Sequence, residues 1–462
     1  MVEVIRWIVE RKEWYSLLPK GSYLVGGAIR DILLGRIPKD WDISVRKPEE
    51  VAKNIAKNLK GVVVPLDEER EIYRVVLENE QVDLTPIYGS IYDDLFKRDF
   101  MINAIAISLD SWEIIDIFGG LKDIEGRIIR VTDPKNLDED PLRMLRAFRL
   151  SAELDFEIEG RTLIEISSKS HLISRVSPER IMFEIERIFS SKRFYRQIQG
   201  LEETGLLFNI FPELEELKKP LKGLDVDVWS HTSLALRRLE VALNTLEDGP
   251  FTYYLHRLGA ITNERGRFIM VMGVMFHDIG KPATYKFENG EVTFHGHDYV
   301  GSKIVNSIGK RMRIANEVYK TISLIVAEHM HPHLLATPNV TRRALYRYHK
   351  RTGDWAFPII LVAYVDALAT PLRAEGVAGQ LRIAKKLEDF LKQQEEEQKK
   401  APRLITGYDL MEKGLKPGPI YKAVLQEIEE LRAEGKIKSR EEALAILDEI
   451  IKKHLEANPP SK

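Results

Sequence analysis

The chain has 462 residues, 44% hydrophobic and 30% charged, with a formal net charge of −2 and no cysteine. That length suggests about three domains with apolar residues enough for true cores. The lack of cysteine excludes disulfides and thiolate metal sites, so any transition metal must use His, Asp or Glu. The near-neutral total excludes a uniformly basic coat but leaves room for a local basic groove. Val4, Ile5, Ile8 and Val9 recur at helical spacing, which predicts a short amphipathic helix within residues 1–20. This segment has no signal-type apolar core, and the longest apolar run, Phe268 to Phe276, is too short to span a bilayer. The expected location is therefore the cytoplasm, with no membrane partner.

Tyr23-Leu24-Val25 predicts a strand, Gly26-Gly27 a tight turn with close backbone approach, and Ala28 to Leu34 a short helix stopped at Gly35. Asp40-Trp41-Asp42 opens a second strand that runs through Val45. Strand alternation puts Asp40 and Asp42 on one face. Adjacent carboxylates repel unless a cation lies between them, and hard oxygen ligands suit Mg²⁺. A glycine turn beside a carboxylate pair is a way to hold a nucleoside triphosphate with its metals. Val51 to Leu59 predicts a helix, and 62–64, 73–77 and 82–84 predict strands. Asp83, on the last of these, is either a third metal-facing carboxylate or an exposed edge-strand residue.

Lys97-Arg98-Asp99 precede an apolar stretch, Phe100 to Ala106, expected as a capped helix with Asn103 inside it. Trp112 to Ile117 and Ile128 to Val131 are expected strands around a turn at Gly119-Gly120. Glu139 to Leu150 opens a helix with Pro141 in its first turn. Leu142, Leu145, Phe148 and Ala152 share one side of it. Asp140, Arg143, Arg146 and Arg149 form an i,i+3 row on the other, whose plain reading is a solvated face with intrahelical ion pairs. Ser177-Pro178-Glu179 starts a further helix with Ser177 as N-cap and a buried stripe of Ile181, Ile185, Ile188 and Phe189. Residues 200–222 read as helical, with breaks at Gly200, Gly205, Pro212 and Pro220.

Beyond residue 225, His231, His256, His277, His295, His297, His329, His331 and His333 crowd together, with His277-Asp278 adjacent and Asp366 further on. Histidine and aspartate are good divalent-metal ligands. A lone His at the end of an apolar helix is usually packed or exposed; an adjacent His-Asp pair flanked by others is a stronger signal. Residues 383–402 predict a charged, mostly solvated helix. Leu415 to Pro419 is a rigid turn, and amphipathic helices run on to Asn458-Pro459-Pro460.

Five segments stand in order: LVGGAIRDILLG…KDWDIS, KRDFMINAIAI, DIFGGLKDIEGRIIRVT, EDPLRMLRAFRLSA and SPERIMFEIERIF. This series resembles that of the bacterial class II tRNA nucleotidyltransferases (CCA-adding enzymes) and their poly(A) polymerase relatives. Residues 225–370 resemble an HD-type metal-dependent phosphohydrolase domain, and the stretch from Leu404 is similar to the family's C-terminal segment. The resemblance implies an α+β fold: a mixed-sheet, polymerase β-like nucleotidyltransferase head over 1–138, then only helices. These would be a neck with a nucleotide-selecting helix over 139–222, an HD-type domain over 223–380 and a tRNA-binding tail over 381–462.

It also implies roles. Asp40 and Asp42 match the family's Mg²⁺ carboxylates, with Asp83 as the third catalytic candidate. Gly27, Arg30, Arg98, Asp99 and Asn103 match nucleotide-contacting positions. Lys97 and Met101 replace the arginine and threonine frequent in the family, which bears on specificity rather than activity. Asp140, Arg143, Arg146 and Arg149 match the helix that serves as a protein template for the base. Cytosine and adenine present an amino donor beside a ring-nitrogen acceptor, matching a carboxylate beside a guanidinium; uracil and guanine present the reverse. Asp140 would then pair with Arg143 only until a base arrives. His231, His277, Asp278 and Asp366 match a ligand set for a second divalent metal (Mn²⁺, Ni²⁺, Co²⁺ or Mg²⁺), with His297 and His329 as further candidates and Lys281 placed to attract a phosphate. Lys399, Lys400, Arg403, Lys413, Lys416 and Lys422 are candidates for RNA-backbone contacts.

The expected function is addition of CMP and AMP, from CTP and ATP, to the 3′ end of tRNA without a nucleic-acid template. The alternatives are a CC-only or A-only enzyme, or a poly(A) polymerase. Two others are an HD phosphohydrolase whose head merely binds RNA, and a non-catalytic tRNA-binding factor. The sequence carries no signal for oligomeric state.

Overall fold

A computed structural model describes residues 1–370, 374–400 and 404–457. The chain forms two compact units, Met1–Pro212 and Glu213–Lys462.

The first unit is built on a mixed sheet. Its strands are β1 (Tyr23–Val25), β2 (Asp40–Val45), β3 (Val62–Asp67), β4 (Ile72–Val76), β5 (Gln81–Pro86), β6 (Ala106–Ser108) and β7 (Ile114–Ile115), in the order β3-β4-β5-β2-β1-β6-β7. β2 pairs antiparallel with β1 and parallel with β5, and that register sets Asp42 beside Asp83. Alternation along β2 buries Trp41, Ile43 and Val45 and turns Asp40, Asp42 and Ser44 to the other face. Trp41 packs against Trp14, with ring centroids 5.3 Å apart. Both indole N–H groups donate to the Glu80 carboxylate, at 2.9 and 3.0 Å, which satisfies the polar edges of two buried rings. Around the sheet lie α1 (Val2–Val9), α2 (Gly27–Leu33), which ends before Gly35 at φ 73°, and α3 (Pro48–Leu59).

Several sequence expectations are corrected here. Phe100 to Ala106 is not a helix: a 3₁₀ turn at Met101–Asn103 leads straight into β6. The Asp99 side chain takes the Phe100 N–H at 2.9 Å, and the Met101 N–H goes to the distant Arg130 carbonyl at 2.8 Å, so helical bonding is lost to other partners. The strand expected over Trp112 to Ile117 shrinks to β7, because Trp112 adopts φ 61° in the turn before it. Gly200 does not break its helix, Phe194–Glu203; a side chain there would strike the Phe148 ring at 2.6 Å. Ser177 occupies the N-cap position without a side-chain cap bond. Two further helices of this unit, α4 (Leu142–Leu154) and α5 (Pro178–Phe189), pack on one another.

Among its described residues the second unit is helical apart from one hairpin, Lys286–Glu288 with Glu291–Thr293. Its main helices are α6 (Val228–Asn244), α7 (Glu264–Phe276), α8 (His297–Arg311), α9 (Asn316–Glu328), α10 (Arg342–Thr352), α11 (Ala356–Ala369), α12 (Ala374–Lys400), α13 (Pro419–Ala433) and α14 (Arg440–Ala457). The apolar run Phe268 to Phe276 is the wholly buried part of α7. Arg342–Ala369 is long and apolar enough to cross a membrane by length and composition. It is interrupted at Gly353 (φ 54°), and 72% of its apolar window is buried inside the fold. The helix α12 is less solvated than expected, since it buries Ile383, Ala384, Leu387, Phe390 and Leu391. Of the candidate RNA-contact residues, Lys399 and Lys400 fall at the end of α12, and Arg403 lies outside the described residues, as do Asn458, Pro459 and Pro460. Lys413 pairs with Asp448 at 2.7 Å, and Lys416 and Lys422 are exposed.

The tail docks on α10 through charge. The buried Glu430 of α13 accepts from Arg347 at 2.7 Å, Arg343 at 3.1 Å and Gln426 at 3.1 Å. Burial pushes its carboxyl up, but these contacts, Arg347 foremost, outweigh that and hold it at about 2. A depressed carboxylate stabilises the fold above its ordinary value of 4.5, and that contribution is lost as the pH falls towards about 2. Glu430→Gln is expected to remove on the order of 2 kcal/mol near neutral pH and to flatten stability across that acid window, read by urea titration at stepped pH.

Candidate active site and metal centre

β1 delivers the chain to Gly26 at φ 73°. A Cβ there would lie 2.6 Å from Asp42 Oδ2 and 2.7 Å from Arg98 Nη1, so glycine alone lets the turn pass. The next residue, Gly27, donates its N–H to the Asp42 carboxylate. Burial is the main influence on Asp42 and pushes its carboxyl up. Arg98 pulls it down, Asp83 pushes it up again, and the outcome is about 6. Asp40 lies exposed on the same strand face. Asp83 is neither an edge-strand residue nor an open ligand: Arg74 on the adjacent strand grips both its oxygens at 2.7 Å. A second contact chain runs beside the carboxylates. Arg30 donates to Asn103 Oδ1 at 2.7 Å, Asn103 donates to Asp99 at 3.1 Å, and Asp99 pairs with Arg146 at 2.9 Å. Burial raises the Asp99 carboxyl, but Arg146 and its other partners hold it below its ordinary value.

The i,i+3 row at α4 is only partly exposed and is not paired within itself. Asp140 pairs with Arg180 of α5 at 3.0 Å, not with Arg143 as the helical spacing suggested. Arg143 donates instead to the Asn136 carbonyl at 3.1 Å and the Lys97 carbonyl at 2.8 Å. Arg146 goes to Asp99, while Arg149 is held by Glu184 at 2.6 Å and Glu153 at 2.8 Å. The structure thus brings Arg143 and Arg146 to the Lys97–Asn103 segment, sets Asp140 against Arg180 and ties Arg149 into the α4–α5 packing.

In the second unit, His231 on α6, His277-Asp278 after α7, His297 at the start of α8, His329 after α9, and Asp366 on α11 converge. His231 Nε2 lies 2.9 Å from Asp366 Oδ1, and His277 Nε2 lies 3.2 Å from Asp278 Oδ2. His297 Nε2 stands 3.5 Å and His329 Nε2 3.9 Å from Asp278 Oδ1. Two ligand groups result, His231–His277–Asp278 and Asp278–His297–His329, each with its ligand atoms within 4.8 Å of one another. Asp278 is common to both. These residues fit a divalent ion on direct grounds. The Nδ1 atoms of His277, His297 and His329 face the carbonyls of Val274, Phe294 and Val326 at 2.7, 2.9 and 2.7 Å, which fixes the proton there and turns each Nε2 inward. His277 Nε2 is buried and faces the carboxylates of Asp278 and Asp366, at 3.2 and 3.8 Å. Burial lowers His329 to about 3, so it is neutral, as a ligand must be. Burial also acts to lower His277, yet Asp278 and Asp366 overcome this and push it up to about 10; a divalent cation would answer the same negative charge. Lys281 is not open to a phosphate: it pairs with Asp278 Oδ2 at 2.6 Å.

Residues 22–90 and 87–130 match the poly A polymerase head domain, 155–218 the probable RNA and SrmB-binding site of polymerase A, and 251–370 the HD domain. An A-adding tRNA nucleotidyltransferase of Deinococcus radiodurans is 31% identical over 439 residues, spanning 93% of this chain and 95% of that protein. A CC-adding tRNA nucleotidyltransferase of Thermus thermophilus is 32% identical over 445 residues, 93% of each. The chain belongs to the tRNA nucleotidyltransferase family. A Thermotoga maritima CCA-adding enzyme complexed with tRNA shares its fold, with a TM-score of 0.65 at 22% identity over 97% of this chain and 98% of that one.

Sequence patterns missed four residues of this nucleotidyltransferase. Arg74 could have been found as the residue facing Asp83 across the β4–β5 ladder. Arg180 and Glu184 hold α4 from a helix with no local signal of that contact. His333 was visible only as one histidine among many; its Nε2 lies 3.0 Å from Asp366 Oδ2, and its Nδ1 faces Gln380 at 3.1 Å. His231 precedes the HD match, yet the fold carries it to the centre.

Proposed function

We propose that this nucleotidyltransferase builds the CCA end of tRNA, adding CMP and then AMP from CTP and ATP without a nucleic-acid template and releasing pyrophosphate. One observation carries the reading. Arg98, beside Asp42, follows directly on Lys97, whose carbonyl holds Arg143, so one short segment links the carboxylates to the arginine of the base-selecting pair. Asp40 and Asp42 offer the oxygen donors that Mg²⁺ prefers. Two such ions would activate the RNA 3′-hydroxyl and stabilise the departing pyrophosphate. Arg98 and Arg30 present guanidinium groups to phosphate and sugar oxygens. Asp140 accepts from the amino group of cytosine or adenine while Arg143 donates to the neighbouring ring nitrogen. Uracil and guanine face the same pair with donor against donor and acceptor against acceptor, at about 1–3 kcal/mol per unpaired buried group.

The four-part division into head, neck, HD domain and tail, and a cytoplasmic location, accompany this reading. The test uses tRNA ending before CCA, tRNA ending at CC and an unstructured RNA, each with CTP or ATP alone. CMP added to the first and AMP to the second is expected. AMP on the CC end alone would make this an A-adding enzyme, CMP alone a CC-adding one, and extension of unstructured RNA a poly(A) polymerase.

The inward-facing Nε2 atoms favour a second reading for the other unit: a metal-dependent phosphoester hydrolase. His231, His277, Asp278 and Asp366, joined by His297 and His329, would hold Mn²⁺, Ni²⁺, Co²⁺ or Mg²⁺, which supplies a water of lowered pKa. Asp278→Ala is expected to abolish Mn²⁺ binding, measured by calorimetry, and to leave nucleotide addition intact. Addition that survived Asp42→Ala would overturn the assignment of the head.

A further inference from the structure

Asp140 precedes α4 in extended backbone (φ −136°, ψ 92°), and both its carboxylate oxygens meet protein donors. Oδ1 accepts from the Leu142 N–H at 3.3 Å, and Oδ2 accepts from Arg180 Nη2 at 3.0 Å. Arg180 lies in the first turn of α5, and it is the first of three α5 charges on one stripe that meet α4 and its N-terminal flank with alternating sign. The pairs are Arg180–Asp140 at 3.0 Å, Glu184–Arg149 at 2.6 Å and Arg187–Glu153 at 3.1 Å. Glu184 and Arg149 are well buried and join the helices; the Arg180 pair is more exposed and touches a base-selecting residue.

We propose that Arg180 is a positioning residue for base selection: it fixes the plane of the Asp140 carboxylate and thereby the hydrogen-bond pattern that Asp140 and Arg143 present. This rests on reading those two residues as the selecting edge. A carboxylate has about four lone-pair sites, so one contact per oxygen leaves one on each for the amino group of cytosine or adenine. Without Arg180, Asp140 keeps only the long contact from Leu142, and its terminal torsion is broad and soft. Arg143 stays where it is, clamped by two carbonyls. The ring N–H of uracil stands where cytosine has its ring acceptor. A fixed carboxylate cannot follow it, whereas one that swings can accept from it.

The test compares Arg180→Met and Arg180→Lys with wild type in the full-length protein, using tRNA lacking CCA and tRNA ending in CC. KM and kcat are measured for CTP and ATP, together with incorporation of UTP and GTP. For Arg180→Met, KM for CTP and ATP is expected to rise about tenfold, with a smaller fall in kcat and about a tenfold loss of discrimination against UTP. Arg180→Lys is expected to recover KM in part but discrimination less, because an ammonium on a flexible stem can reach Oδ2 but lacks the fixed N–H direction of a guanidinium. Unchanged discrimination would overturn the proposal. So would a lower KM, which would mark Arg180 as a competitor for Oδ2. Glu184→Gln loosens the same helix pair elsewhere: it is expected to lower the melting temperature and keep discrimination, and an equal loss in both variants would reduce Arg180 to general packing. Asp140→Asn reports on the underlying reading separately. If it discriminates like wild type, the selecting edge itself is wrong, whatever Arg180→Met does.

Discussion

Replacing Asp42 with alanine is expected to lower kcat/KM for nucleotide addition by about a thousandfold or more, with far-UV circular dichroism unchanged. Asp42 is where the elements of the head meet: β2 carries it, Gly27 donates to it, Arg98 stands beside it and Asp83 is its neighbour across the ladder. Asparagine keeps the shape, removes the charge and separates two effects. Its activity should fall almost as far, because the charge that draws Mg²⁺ is gone. Its stability in chelator should rise. The folded carboxyl titrates at about 6 and the unfolded one at 3.8, so the native state binds more protons between those values and loses stability as the pH climbs through them. Above about pH 6 the full penalty remains, on the order of 2 kcal/mol, and Asp42→Asn removes it. Below about pH 4 both carboxyls are protonated and the two proteins should melt together. A mutant that melts lower than wild type in chelator at about pH 8 would contradict this account of a buried charge whose desolvation Arg98 and Gly27 offset only in part.

Gly26→Ala is expected to destabilise the first unit by about 3 kcal/mol and to cut activity about a hundredfold. Its backbone, φ 73° and ψ −142°, is close to a region that side chains avoid, and the added methyl would push on Asp42 Oδ2 and Arg98 Nη1 together. Strain and displacement therefore fall on the carboxylate itself and on the guanidinium beside it. Chemical denaturation gives the first number and steady-state kinetics on tRNA the second. Excess Mg²⁺ should not restore activity, because what is lost is the position of the ligand. Full rescue by Mg²⁺ would mean that the turn is more plastic than its geometry implies.

The stretch from Leu24 to Val45 was legible because each of its signals is local: an apolar strand, two glycines, a helix stop and a period of two that aligns Asp40 with Asp42. The row from Asp140 to Arg149 was half legible. Its residue types and helical phase were plain, but its partners were not, because Arg180, Glu184, Asp99 and the Lys97 carbonyl come from elsewhere in the chain. Spacing alone had suggested an Asp140–Arg143 pair, and a tertiary donor displaced it. Phe100 to Ala106 misled for a different reason. A short apolar run fits a buried strand or a buried helix equally well, and the Asp99 side chain capturing the Phe100 N–H leaves no mark in periodicity. The histidines were visible as ligand types. The resemblance to an HD domain picked out the ones that converge, His231, His277, His297 and His329; spacing alone did not, because convergence depends on helix ends that sequence locates only to within a few residues.

Three of those histidines share a local device. His277, His297 and His329 each set Nδ1 against the carbonyl three residues earlier in their own segment. Each ring is thus aimed by its own stretch of backbone rather than by an ion, and the second unit has its cores to hold it without one. Removal of metal should therefore leave this unit folded, and loss of one ligand should leave the other rings aimed. An ion bound there would be exchangeable cargo on a finished fold, and its identity in a living cell would follow the supply of free cations more than any instruction in the chain.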